Sequence, residues 1–193
     1  VIFTLQTPTS PTSVGLGDVT VHTVNIQNYG AGLEMRWSAD NYATVYLDGV
    51  QWGSTSNDWK SMFTITNPSI APGKHYIAVY AWDTGSIGGF TAALALNGVP
   101  IPGSMTGAAD QQWRSAKGSP GSDTTWRTQD HLDWGTAPVV TAYCDGVWGW
   151  FNGSKEMKAL GALWVWNDFC GHYPTHVPSS DQHNRYILTI NIP

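Results

Sequence analysis

Apolar and polar residues alternate through much of the first half of the chain, and the alternation breaks about every ten residues at Gly, Pro, Asn or Asp. Across Asp18–Gln27, Val19, Val21, Thr23 and Asn25 alternate with Thr20, His22, Val24 and Ile26, which reads as a strand. Leu33–Ala39 and Thr44–Leu47 read as two more around Asp40-Asn41-Tyr42, and Asp48-Gly49 marks a tight turn after the second. Gln51–Asp58 reads as a polar loop. Met62–Thr66, His75–Trp82 (the strongest pattern, following Pro72-Gly73) and Phe90–Leu96 continue the series, and Ile2–Gln6 alternates weakly. That makes at least seven strands by Leu96, a spacing typical of an antiparallel sandwich or jelly roll.

The second half is less regular. Gly103–Thr125 has few apolar residues and reads as wrapping loops. Ser154–Leu160 is the one credible helical turn, with Ser154 as a candidate cap. Leu163–Trp166 and Tyr186–Ile192 read as strands. The short pieces Asp48–Gly53 and Asp145–Trp150 are alike, but no repeat extends beyond them. The expected fold is an all-β antiparallel β-sandwich or jelly roll with long wrapping loops and at most one short helix. Residues 1–17, with their Pro/Thr/Ser run, form an extended N-terminal arm, and residues 18–193 form a single domain.

Composition narrows the functional classes. The chain has 193 residues, with 9 basic against 14 acidic side chains and a formal net charge of −5. Nine scattered cations cannot build the dense basic face that nucleic-acid backbones require. A hydrophobic share of 41% is too high for a disordered chain. No apolar run approaches the roughly 18 residues of a membrane span. Tryptophan occurs 11 times and glycine 21 times, and only Glu34 and Glu156 among the acids are glutamates.

The first residue, Val1, suits a mature secreted protein. Cys144 and Cys170 either pair as a disulfide, worth roughly 3.5 kcal/mol on the chain-entropy estimate, or stand as two buried thiols. Asn152-Gly153-Ser154 is a sequon, which makes Asn152 a candidate glycosylation site. Together these features predict an extracellular glycoprotein.

Several segments resemble the galactose-binding-domain-like jelly rolls found as accessory domains in extracellular proteins. Arg36–Gly49 resembles the paired strands of that family, Pro72–Asp83 the strand that partners them, and Gly88–Leu94 the strand that follows. Thr124–Arg127 and Gly161–Trp166 resemble two later short motifs of the family. The resemblance implies the fold, and it implies carbohydrate binding through end loops as a common activity of such domains.

Tryptophan supplies the candidate chemistry. An exposed indole covers the C–H face of a pyranose while Asp, Asn or Gln bind its hydroxyls. Trp37, Trp82, Trp164 and Trp166 lie on strand patterns and are expected in the core. Trp52 and Trp59 flank Gly53–Asp58, and Trp148 and Trp150 bracket Gly149, so these four are candidates for a binding surface. Asp145, Trp148, Trp150, Trp52, Asn57, Asp58 and Trp59 are therefore the expected ligand-binding residues.

Other chemistries fit less well. His172, His176 and His183 lie beside Asp168 and Asp181, ligand types that suit zinc, but Pro174 and Pro178 mark a loop and no His-Glu-x-x-His pattern occurs. Calcium suits loop aspartates better, although no EF-hand pattern is present. No carboxylate spacing singles out the pair a glycosidase needs, and nucleophile motifs are absent. The expected function is a secreted carbohydrate-binding module or lectin without covalent chemistry or an obligate cofactor. Its partners would be glycans, extracellular proteins or further copies of itself, with no nucleic acid and no membrane span. The competing expectation is a structural subunit of an extracellular filament, coat or matrix, self-associating through exposed aromatics. A glycoside hydrolase comes third.

Overall fold

The computed structural model describes residues 31–84, 88–128, 139–140, 152–166 and 182–193. The predicted arm at 1–17 and the predicted strand Asp18–Gln27 lie outside them. The strands are β1 (Ala31–Asp40), β2 (Tyr42–Leu47), β3 (Val50–Thr55), β4 (Phe63–Ile70), β5 (Gly73–Asp83), β6 (Gly89–Leu96), β7 (Val99–Pro100), β8 (Arg114–Lys117), β9 (Val139–Val140), β10 (Val165–Trp166) and β11 (Gln182–Ile192). One helix, α1 (Asn152–Ala159), and one 3-10 turn, Thr125–Arg127, complete the described elements.

Two antiparallel sheets pack face to face, as the alternation predicts. Sheet A runs β4-β1-β6-β10-β9, with β7 paired to β6, and sheet B runs β3-β2-β5-β11-β8. Inward-facing side chains of both sheets form one core. Leu33, Met35, Trp37 and Ala39 enter it from β1, Phe90, Ala92 and Leu94 from β6, Ile77, Val79 and Ala81 from β5, and Tyr186, Leu188 and Ile190 from β11. Burial of such a contiguous apolar layer, at about 25 cal/mol per Å², is the main force holding the sheets together.

Local signals place the turns. Asp48 and Gly49 have φ of 49° and 82°, and Asn97 and Gly98 have 52° and 78°. Both pairs thus adopt the left-handed backbone that two-residue hairpins need to match strand twist. The first hairpin folds Val50–Thr55 back onto β2, so the predicted polar loop at Gln51–Asp58 is corrected: most of it is β3. Its polar character reflects an edge position, where neither face is fully covered. Likewise β8 interrupts the predicted loop Gly103–Thr125, because its four residues pair with Asn184–Ile187 of β11.

Each outer face carries a cover. On sheet A, Met157 of α1 and Ala162 pack against Ala93. The helix ends in a Schellman motif, with Gly161 at φ 85°, its N–H donating to the Lys158 carbonyl, and the Ala162 N–H donating to that of Met157. Ser154 does not cap the helix as expected. It is the third helical residue, buried, and its hydroxyl accepts a 2.7 Å bond from the Trp164 indole N–H. On sheet B, Trp126 of the 3-10 turn is fully buried against Tyr46, Ala78 and Ile187.

Among the described residues, three connections leave one sheet for the other at the same end of the sandwich: Asn41 alone between β1 and β2, residues 56–62 between β3 and β4, and, after β5, the segment that begins at Thr84.

Candidate functional site

The strand β5 shows why the site forms where it does. Side chains alternate sides along a strand, so Ile77, Val79 and Ala81 fill the core while Tyr76, Ala78, Tyr80 and Trp82 face outward from sheet B. The expectation that Trp82 lies in the core is therefore corrected: it is only partly buried. Trp37, Trp164 and Trp166 are buried as expected, with 2–3% of their surface exposed.

Register brings further rings to Trp82. Tyr42 of β2 and His183 of β11 both pair directly with it. Tyr42 stacks on Trp82 at 5.0 Å between ring centroids and 11° between planes. Trp82 stacks on Tyr80 at 5.0 Å, and Tyr80 on His183 at 5.7 Å and 9°. A hydrogen bond of 2.6 Å joins the Tyr80 hydroxyl to His183 Nδ1, and the same hydroxyl lies 3.4 Å from Ser119 Oγ. Near-parallel rings 5.0 Å apart are offset stacks, which leave part of each face and an edge uncovered. All four side chains are partly exposed.

The three crossing loops meet beside this row, around the Asn41 side chain. Its Nδ2 donates to Asp40 Oδ1 at 2.8 Å and to Asn57 Oδ1 at 3.1 Å. Its Oδ1 accepts from the Thr84 backbone N–H at 3.0 Å and from the Thr84 hydroxyl at 3.2 Å. The Asn41 backbone N–H donates to the Trp82 carbonyl, so the amide hub and the aromatic row belong to one rigid end. Asn57 sits at φ 40°, a left-handed conformation that asparagine tolerates. It is exposed, and its Nδ2 has no partner among the described residues. Asp58 accepts the Lys60 backbone N–H through Oδ1 at 3.3 Å. This end therefore presents an amide donor, a carboxylate and stacked aromatic rings.

The remaining expected site residues divide. Trp59 lies in the same 56–62 loop, half-buried, with its carbonyl accepting from the Ser38 hydroxyl and Lys60 Nζ 5.3 Å above its ring. Trp52 is not in a loop. It lies on β3 beside the bulge opposite Val45 and Tyr46, and it packs against the core edge. Asp145, Trp148, Trp150, Cys144 and Cys170 lie outside the described residues, as do His172, His176, Asp168 and Asp181 of the histidine set. Asn152 opens α1, and the adjoining Gly153 N–H donates to the Lys60 carbonyl, docking the sequon segment under the 56–62 loop. Among the described residues no group of three or more His, Cys, Asp or Glu could hold a metal ion.

Sequence reasoning missed Asn41, Tyr42, Tyr80 and the outward face of Trp82. The signal for the last two was present in the strict spacing of Ile77, Val79 and Ala81. Nothing local marks Asn41, whose role comes from three connections separated in sequence.

Among the described residues, two titratable groups elsewhere are perturbed. Burial pushes the Tyr186 phenol, in the core, well above its usual range. At the opposite end of the sandwich, His75 holds Asp48 Oδ2 through Nδ1 at 2.6 Å and the Ala71 carbonyl through Nε2 at 2.8 Å. Burial is the largest single influence and draws its pKa down. The hydrogen bonds to Asp48 and Ala71 and the charge of Asp48 together outweigh it and leave the pKa above 6.5.

Comparison with protein-family models, with curated proteins and with solved structures gives no match. The site is read from its own geometry.

Proposed function

We propose that this chain is an extracellular carbohydrate-binding module that holds a glycan at the Asn41 end without covalent chemistry, on a scaffold of the galactose-binding-like kind. The observation that carries the reading is the convergence of the exposed Asn57 amide and Asp58 with the part-exposed Tyr42–Trp82 stack, fixed by the Asn41 hub. A pyranose presents C–H groups to aromatic rings and hydroxyls to amides and carboxylates, and a site prearranged by hydrogen bonds loses less entropy on binding. The even cysteine count, Cys144 and Cys170, which would pair in an oxidising compartment, and the Asn152 sequon support placement outside the cell.

A glycan array followed by calorimetry, with and without calcium, tests the proposal. Binding is expected for the native chain, about tenfold weaker for Trp82→Ala and for Asn57→Ala, each tenfold corresponding to ~1.4 kcal/mol. No response to any glycan at millimolar sugar would end the proposal.

The assembly reading rests on one observation. Val50 and Val99 are 72% and 66% exposed, both beside hairpin turns at the end opposite Asn41. Light scattering at high protein concentration separates the two: a defined polymer favours assembly, and a monomer favours the binding module.

A further inference from the structure

A concavity lies away from the Asn41 end, on the outer face of sheet A. Ala93 and Ala95 of β6 line it, Ala93 at the margin of its cover by Met157 and Ala162, and their methyl side chains leave space that larger residues would fill. Met105 and Leu160 form the walls, and Glu34 and Arg36 of β1 line it as well. Register explains the arrangement, since Glu34 pairs with Ala95 and Arg36 with Ala93 on the outward side of adjacent strands. The volume is about 190 Å³, room for a single small ring.

The polar edge sets what fits. Arg36 Nε donates to Glu34 Oε1 at 2.6 Å, and the pair is part-buried. This contact uses one of the five guanidinium N–H groups and one carboxylate oxygen. The cleft thus offers donors and an acceptor side by side with their charges balanced. A charged ligand would meet one partner of like sign against a mostly apolar lining, which favours a neutral one. A hydroxyl accepts from a guanidinium and donates to a carboxylate at once.

We propose that this cleft binds a small uncharged ring compound bearing a hydroxyl group, a phenol or cyclic alcohol, with the ring on Ala93 and Ala95 and the hydroxyl at the Arg36–Glu34 pair. Met105, an unbranched and adaptable side chain, lets the wall follow ligands of slightly different shape.

The test is ligand-observed NMR titration of the full chain with phenol, cyclohexanol, benzoate and benzylammonium. The expected result is dissociation constants on the order of 1 mM for the two neutral ligands and at least tenfold weaker binding of both ions. Ala95→Phe fills the trough and should abolish phenol binding while the melting temperature confirms a folded chain. Glu34→Gln, a change at a part-exposed site, leaves the Arg36 charge uncompensated and should shift preference toward benzoate. The proposal is overturned if phenol fails to bind, if folded Ala95→Phe binds it equally, or if Glu34→Gln leaves the selectivity unchanged.

Discussion

Trp126 offers the sharpest test of how the outer face of sheet B is organised. It is fully buried, although it belongs to a 3-10 turn in a long connection rather than to either sheet. Its ring meets Tyr46 edge-on at 5.7 Å and 83°, and the Arg127 guanidinium lies 4.0 Å above the same tyrosine ring. A buried indole removes ~150–250 Å² from water, or about 4–6 kcal/mol at ~25 cal/mol per Å². The edge contact adds about 1 kcal/mol. Truncation to alanine lets a surface loop collapse and water enter, so part of that sum is recovered. The expected loss for Trp126→Ala is about 3–4 kcal/mol, within the ~3–5 kcal/mol typical of such truncations. Urea unfolding followed by far-ultraviolet circular dichroism reads this as a lower midpoint at constant slope. Trp126→Phe should restore more than half of it. The proposed glycan binding should survive in the folded fraction, because Trp126 packs on Tyr46, Ala78 and Ile187 rather than on the Tyr42–Trp82 stack. A loss below about 1 kcal/mol would refute the reasoning, since the indole would then do nothing to pin the connection.

Three further outcomes are expected. A Cβ at Gly88 would lie 2.4 Å from Trp166 Cζ2, so Gly88→Ala should cost about 1–3 kcal/mol in thermal or chemical unfolding. Ser154→Ala strands the buried Trp164 indole N–H and should cost about 1–3 kcal/mol, with Ser154→Thr or Ser154→Cys gauging how much depends on the hydroxyl itself. The folded pKa of His75 lies above the unfolded value. Its stabilisation is therefore complete below pH 6.5 and is lost as pH rises through the folded pKa. His75→Gln should flatten the stability profile across that window, as read by denaturation at a series of pH values.

The fold was legible where side chains report the sheet period. β1, β2, β5 and β6 emerge from alternation because one face of each packs in a dry core. β3 and β8 did not, because Val50–Thr55 and Arg114–Lys117 are edge strands in which even the inward positions Thr55 and Ser115 are polar, so no apolar alternation marks them. Trp82 was misplaced by a rule that equates tryptophan with the interior, when its parity along β5 sets it opposite Ile77, Val79 and Ala81. Within the candidate site, the sequence singled out Asn57 and Asp58 in a Trp-flanked polar segment, and the structure places both at the Asn41 end. Asn41 was not singled out, since its four side-chain hydrogen bonds reach Asp40, Asn57 and Thr84, and only the last two distances in space, not sequence, create the hub.

The pairing of β5 with β11 runs the full eleven residues of both strands yet joins segments about a hundred positions apart. Contacts of such long range must wait for a large loop to close, which slows folding relative to a helical chain of equal length. During synthesis β5 would therefore emerge long before its neighbour, with Ile77, Val79 and Ala81 lacking half of their eventual cover. A nascent chain of this kind depends on chaperones or on delay at that stage more than on speed, and amino-acid changes that make β5 stickier should reduce the yield of folded protein before they alter its final stability.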